Sequence, residues 1–107
     1  MAIVVSQEGD KAVIRPSAME IADGSLRALR TQVRGIVDNG ARELVVDLAD
    51  VQVVDSNGIG LLVSAHNLLH RLGGRLVVVH ASQDILDLLH AMRLHNHFSV
   101  NRNDPAD

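Results

Sequence analysis

The sequence predicts a single α/β domain, a mixed β-sheet with an opening β-hairpin and about three packed α-helices. Three observations support this. At 107 residues the chain is long enough for one core and too short for two. Short Val- and Leu-rich runs alternate with longer segments whose apolar residues recur at helical spacing, as parallel strands joined by right-handed crossovers require. Apolar residues make up 47% of the chain, yet Phe98 is the sole Phe, Tyr or Trp, so the core is built from Val, Leu, Ile and Ala.

Ile3 to Ser6 and Lys11 to Arg15 lean towards β structure and flank Glu8-Gly9-Asp10, a hairpin turn. Pro16 cannot donate to a ladder and is expected to close the second strand, leaving residues 17 to 23 as a loop. Asp23 or Ser25 can cap the next helix, in which Leu26, Leu29, Val33, Ile36 and Val37 form the apolar face. Arg27, Arg30 and Arg34 make a charged stripe on the same helix, read as solvated, and Asn39-Gly40 stops it. Glu43 to Leu48 reads as a buried strand. A second helix is expected from about Asn57 to Leu72, with Ile59, Leu62, Val63, Leu69 and Leu72 for the core, ended by Gly73-Gly74. Arg75 to His80 is the next strand. Ser82 caps a third helix, with Asp84 in its first turn and Ile85, Leu88, Leu89 and Met92 buried. Phe98-Ser99-Val100 closes the sheet. The domain spans residues 1–107, with an ordered core over about 3–100 and a polar tail over 101–107.

Asn57-Gly58 between apolar runs is also a hairpin signal, which would pair Val51–Val54 with Leu61–Ser64. Helical spacing continues from Ile59 to Leu72, beyond the length of a strand, and favours the helix.

The junction Val53-Val54-Asp55-Ser56-Asn57-Gly58-Ile59-Gly60 carries the functional signal. A serine at the start of a helix lies where free backbone N–H groups tolerate negative charge. Ser56 can be a plain N-cap, although Asp55 beside it can cap equally well. Gly58 and Gly60 are poor helix formers, and their small size lets another surface approach the serine. Phosphorylation there would add about −1.5 to −2 charges and three acceptor oxygens, tolerated by the helix and repelled by an interface lying over it.

This motif, with the strand–helix order and the Gly73-Gly74-Arg75-Leu-Val-Val-Val turn into a strand, resembles the STAS-domain family of bacterial anti-sigma factor antagonists. The usual family form is Asp-Ser-Ser/x-Gly-Leu-Gly, and the resemblance covers roughly residues 3–100. It implies an unmodified protein that binds an anti-sigma factor, a serine kinase of histidine-kinase-like fold, and frees the kinase's client. The kinase would phosphorylate Ser56 with ATP that it binds itself, and a metal-dependent PPM-type phosphatase would reset the switch. Asp55 would position the acceptor, and Asn57, Gly58 and Ile59 would lie in the contact. Asn57 and Ile59 replace the family's frequent Ser and Leu. Pro16-Ser17-Ala18-Met19-Glu20-Ile21 stands where members carry a Gly-x-Leu-Asp-like turn, so Glu20 would take the place of the family's acidic contact.

Other chemistries find less support. Thirteen acids oppose ten bases, nine of them arginine, with no basic stripe that dominates, so neither nucleic acid nor an anionic membrane is an expected partner. Cysteine is absent, which removes disulfides and thiolate chemistry. No secretory signal is evident, the longest apolar stretch is interrupted by His, Asn and Arg, and a cytoplasmic location is expected. His66 and His70 have helical zinc-ligand spacing but lack the Glu of an HExxH motif, and no metal or other cofactor is expected. The nucleophile-elbow, dinucleotide and P-loop patterns all fail around Ser56, and neither His80 nor His95 is placed as its base, so the chain reads as a kinase substrate and not as an enzyme. The main alternative is a STAS subunit of a transport complex, such as a lipid ABC transporter, binding its ATPase without a phospho-switch. A stressosome-like scaffold would usually bring a further N-terminal domain. A monomer is expected.

Overall fold

The computed structural model describes residues 2–21, 23–94 and 99–101. Strands β1 (Ala2–Glu8) and β2 (Lys11–Ile21) form an antiparallel hairpin, followed by helix α1 (Asp23–Asp38) and strands β3 (Glu43–Asp47) and β4 (Val51–Val54). Helix α2 (Ser56–Arg71), strand β5 (Arg75–Val79), helix α3 (Gln83–Ala91) and strand β6 (Ser99–Asn101) complete the order. The sheet runs β1-β2-β3-β5-β6, and every pairing after the hairpin is parallel. Each crossover advances in the same direction across the sheet, so right-handed connections put all three helices on one face.

The opening turn is tight because Glu8 pairs with Lys11, leaving Gly9-Asp10 as a two-residue loop. Gly9 at φ +63° is the first central residue, as a hairpin turn with a left-handed first position demands.

Strand β2 does not stop at Pro16. It continues to Ile21, so the expected loop over 17 to 23 is for the most part strand. The second half of β2 pairs with β4, a strand absent from the sequence reading. Ile14 pairs with Val46 and Ala18 with Val51, so four steps along β2 answer five along the partner chain. The extra residue is a β-bulge in the Leu48-Ala49-Asp50 connection, too short to cross β2, and β4 therefore extends β3 along the same edge. Pro16 falls between the two ladders, opposite the bulge, where a missing donor breaks no pairing on that edge.

Alternate strand residues face the helices. Ile14, Leu44, Val46, Leu76 and Val78 form one cluster with Leu26, Leu29, Val33, Ile36 and Val37 of α1, all buried as expected. Ile59, Leu61, Leu62, Ala65 and Leu69 of α2 and Ile85 and Leu89 of α3 complete it. Val45, Val77 and Val79 pack on the opposite face. Val63 and Leu88, also expected in the core, are only half-buried against it, and two further expected core residues are exposed: Leu72 is 43% exposed and Met92 44%. Leu72 and Met92 are both C-cap residues, where the chain leaves the helical path and the apolar face no longer points at the sheet.

The helix ends follow their sequence signals. Asn39-Gly40 closes α1, with the Ala41 N–H on the Ile36 carbonyl and the Gly40 N–H on that of Val37, a Schellman pattern. Gly73 at φ +79° and Gly74 repeat it at α2, where Gly74 donates to the Leu69 carbonyl at 2.7 Å. A Cβ at Gly74 would collide with the Arg42 carbonyl oxygen, so this turn must be glycine to lie against the start of β3. Ser82 caps α3, accepting the Ile85 N–H at 3.2 Å. Phe98, His95, His97 and the tail beyond Asn101 lie outside the described residues, as do the side chains of Asp23 and Ser25.

Candidate functional site

Strand β4 delivers Asp55 and Ser56 to the start of α2. Val54 is buried and anchors the strand end, and Asp55 follows in extended conformation at φ −81°, ψ 179°. The Asp55 carboxylate accepts the Gly58 N–H at 2.9 Å, and its carbonyl accepts the Ile59 N–H at 3.0 Å. Asp55 is therefore the N-cap, worth about 0.5–2 kcal/mol to the helix.

That assignment removes the plain N-cap reading of Ser56. The capping position is filled by its neighbour, and Ser56 is the first helical residue with its side chain exposed. Among the described residues its hydroxyl makes no hydrogen bond. Helix geometry thus leaves the hydroxyl unoccupied, beside the positive end of the helix dipole.

The other sequence-predicted positions separate by burial. Asn57 is exposed next to Ser56. Gly58 is buried, and Ile59 is 0% exposed within the core cluster, so neither offers side-chain surface to a partner in this conformation. Glu20 pairs in register with Val53 and Ile21 with Val54, which brings the end of β2 alongside the end of β4. The Val53 side chain is 43% exposed, an apolar spot two residues before Asp55.

Polar contacts hold this end of the sheet. The Asp47 carboxylate accepts the Ala49 N–H at 3.0 Å and meets His80 Nδ1 at 2.9 Å, bracing the bulge from β5. His80 does so from a left-handed backbone at φ 58°, uncommon for a residue with a Cβ. The Ser82 hydroxyl donates to the Gln52 carbonyl at 3.1 Å and ties the start of α3 to β4. Asp55 and Ser56 therefore emerge from a strand clamped on both sides. His66 and His70 stack with ring centroids 5.8 Å apart, and among the described residues no group of three potential metal ligands forms. No helix among the described residues is long and apolar enough to cross a membrane.

One feature of the site escaped the sequence reading. Ser56, Gly60 and Ser64, four residues apart on α2, line an open groove of about 900 Å³ with Arg27, Arg30 and Arg34 of α1. The arginine stripe is exposed, as expected, but it faces the serine across this groove instead of standing on a remote surface. The signal was present in the heptad-like spacing of α1. Its apolar face fixes the rotation of the helix, and the neighbouring arginines then fall on the flank next to α2.

The fold and the site define a class: a small α/β domain that presents an exposed, unbonded serine at a helix start beyond the end of a parallel strand. The STAS domain profile matches residues 2–104, almost the whole chain, and the protein belongs to the STAS domain family. No significant match was found among curated proteins. The fold is similar to that of an anti-sigma factor antagonist from Mycobacterium paratuberculosis, with 23% identity over 95% of this chain and 86% of that one and a TM-score of 0.83. It is also similar to the antagonist SpoIIAA in its unphosphorylated form, at 16% identity, 98% and 92% coverage and a TM-score of 0.83. The phosphorylated form of SpoIIAA, from Bacillus, gives 17% identity, 98% and 96% coverage and a TM-score of 0.76.

Proposed function

We propose that this STAS domain is an anti-sigma factor antagonist switched by phosphorylation at Ser56. The observation that carries the reading is the division of labour at the helix start: Asp55 caps, and the Ser56 hydroxyl stays exposed and unbonded. Unphosphorylated, the chain binds an anti-sigma factor that is a serine kinase of histidine-kinase-like fold, using the surface around Asp55, Ser56 and Asn57 and the adjacent end of β2 at Glu20. Gly58 and Ile59 shape that surface from beneath.

The kinase holds the ATP. The Ser56 oxygen takes the γ-phosphoryl group, ADP leaves, and the hydroxyl proton passes to a base of the kinase. The new charge lies at a helix N-terminus, where the dipole favours it by about 0.3–1 kcal/mol, so the domain keeps its fold. The similarity of the chain to both forms of SpoIIAA supports this tolerance. In the interface the same charge faces desolvation and the fixed Asp55 carboxylate, and the complex parts. A PPM-type phosphatase removes the phosphate. In this reading the chain acts as a cytoplasmic monomer, a substrate of the two enzymes and itself no catalyst.

A pull-down from native lysate, with Ser56→Asp as the paired bait, tests the proposal. Wild type is expected to retain a kinase-type ATPase that the variant loses. Recovery of a transporter ATPase by both baits would instead identify a transport subunit in which Ser56 serves contact alone.

A further inference from the structure

We propose that the groove between α1 and α2 is a phosphate-binding site for the chain's own modified serine, with Arg27, Arg30 and Arg34 as its wall. The inference rests on Ser56 as the phosphoacceptor and adds where the phosphoryl group goes once it is attached.

Three observations carry it. First, the three arginines and Ser56 line the same open groove of about 900 Å³. Second, none of the three guanidinium groups has a carboxylate within 4.0 Å among the described residues. Arg71 and Arg93 share this lack among the described residues, while other arginines of the chain are engaged. Arg15 pairs with Asp50 at 3.0 Å, Arg75 with Glu43 at 2.7 Å, and Arg42 donates to the Ala41 carbonyl at 2.7 Å. Nor do acids run short, since they outnumber bases by thirteen to ten. Third, the α2 wall is low, formed by Ser56, Asn57, Gly60 and Ser64, and nothing lies within 4 Å of where a Cβ at Gly60 would stand. Space, positive charge and a phosphorylatable hydroxyl thus meet in one place.

Arginine suits this task because its planar fork offers paired donors to phosphate oxygens, and its long stem can swing across the groove. The first turn of α2 contributes the positive end of its dipole to the same phosphate. Modification then does more than add charge to a surface. It draws the arginine stripe onto α2 and neutralises a wall that is uniformly positive before modification. The unmodified and modified domains differ over the whole groove, and a partner reads that difference without any change of fold.

The test is a phosphorus-31 NMR pH titration of the full chain with phosphoserine installed at position 56 during translation. No kinase is needed, so the result is independent of whether the proposed kinase exists. The second phosphate ionisation, near 6 for a free phosphoserine, is expected about one unit lower in the folded protein than in urea. The folded-state value should move back up in Arg27→Gln, Arg30→Gln and Arg34→Gln, most in the triple variant, and stay depressed in the Arg→Lys versions and in Arg93→Gln, which is outside the groove. Circular dichroism of each variant confirms that these exposed substitutions leave the fold intact. Equal values in folded and unfolded protein, or a triple Gln variant that titrates like wild type, would overturn the proposal. Failure of the kinase pull-down with a depressed, arginine-dependent titration would leave the groove standing and remove only the kinase.

Discussion

Ser56→Asp is expected to weaken partner binding by about a hundredfold while its melting temperature stays near that of wild type. The two effects separate because they act through different surroundings. In the free domain the new carboxylate stands at the first helical position, where the dipole stabilises it and solvent screens it from Asp55. An exposed substitution of this kind changes stability by no more than about 0.5 kcal/mol. In the complex the same carboxylate is covered by the partner, and like-charge contact costs several kcal/mol. A loss of about 2.7 kcal/mol already corresponds to a hundredfold in Kd. Titration calorimetry against the isolated partner and thermal unfolding of the variant measure the two sides. Unfolding of Ser56→Asp would show instead that the hydroxyl has a structural part in the helix start, against the capping by Asp55.

Ile59→Ala is expected to do the opposite, costing about 2–5 kcal/mol of stability with little direct effect on the interface. Ile59 is 0% exposed and packs in the main core cluster, so truncation leaves a cavity under the first turn of α2. Native domains have only about 5–15 kcal/mol in hand, so this single change removes a large share. Urea unfolding reads the loss through the shift of the midpoint. Binding measured where the variant is still folded should stay close to wild type. Weakened binding at unchanged stability would mean that Ile59 turns outward in the complex, as its place in the motif led the sequence reading to expect.

What the sequence made legible was local. The Gly9-Asp10 turn, the two glycine stops and the Ser82 cap each depend on residues within one turn of chain, and each stands where it was expected. The helical faces followed from spacing alone. What it hid was pairing at a distance. The extension of β2 beyond Pro16 depends on a bulge some thirty residues away, and no rule about proline in isolation reveals that the ladder is already interrupted opposite it. Strand β4 is four residues long and follows β3 after three residues that look like a loop, because only register shows the two as one kinked edge. Leu72 and Met92 continue the apolar spacing in sequence but sit past the last helical turn in space. The same limit applies to the site. Asp55 and Ser56 were visible as a motif, whereas the arginine stripe gained meaning only when packing of α1 against α2 set it across from the serine.

The most direct test of the switch is to incubate the purified chain with its recovered partner and ATP, and to map the phosphate by mass spectrometry. A single phosphate at Ser56, appearing as the complex dissociates, is the expected result. Phosphate at another residue with Ser56 unmodified, or a complex that persists with Ser56 fully phosphorylated, would contradict it.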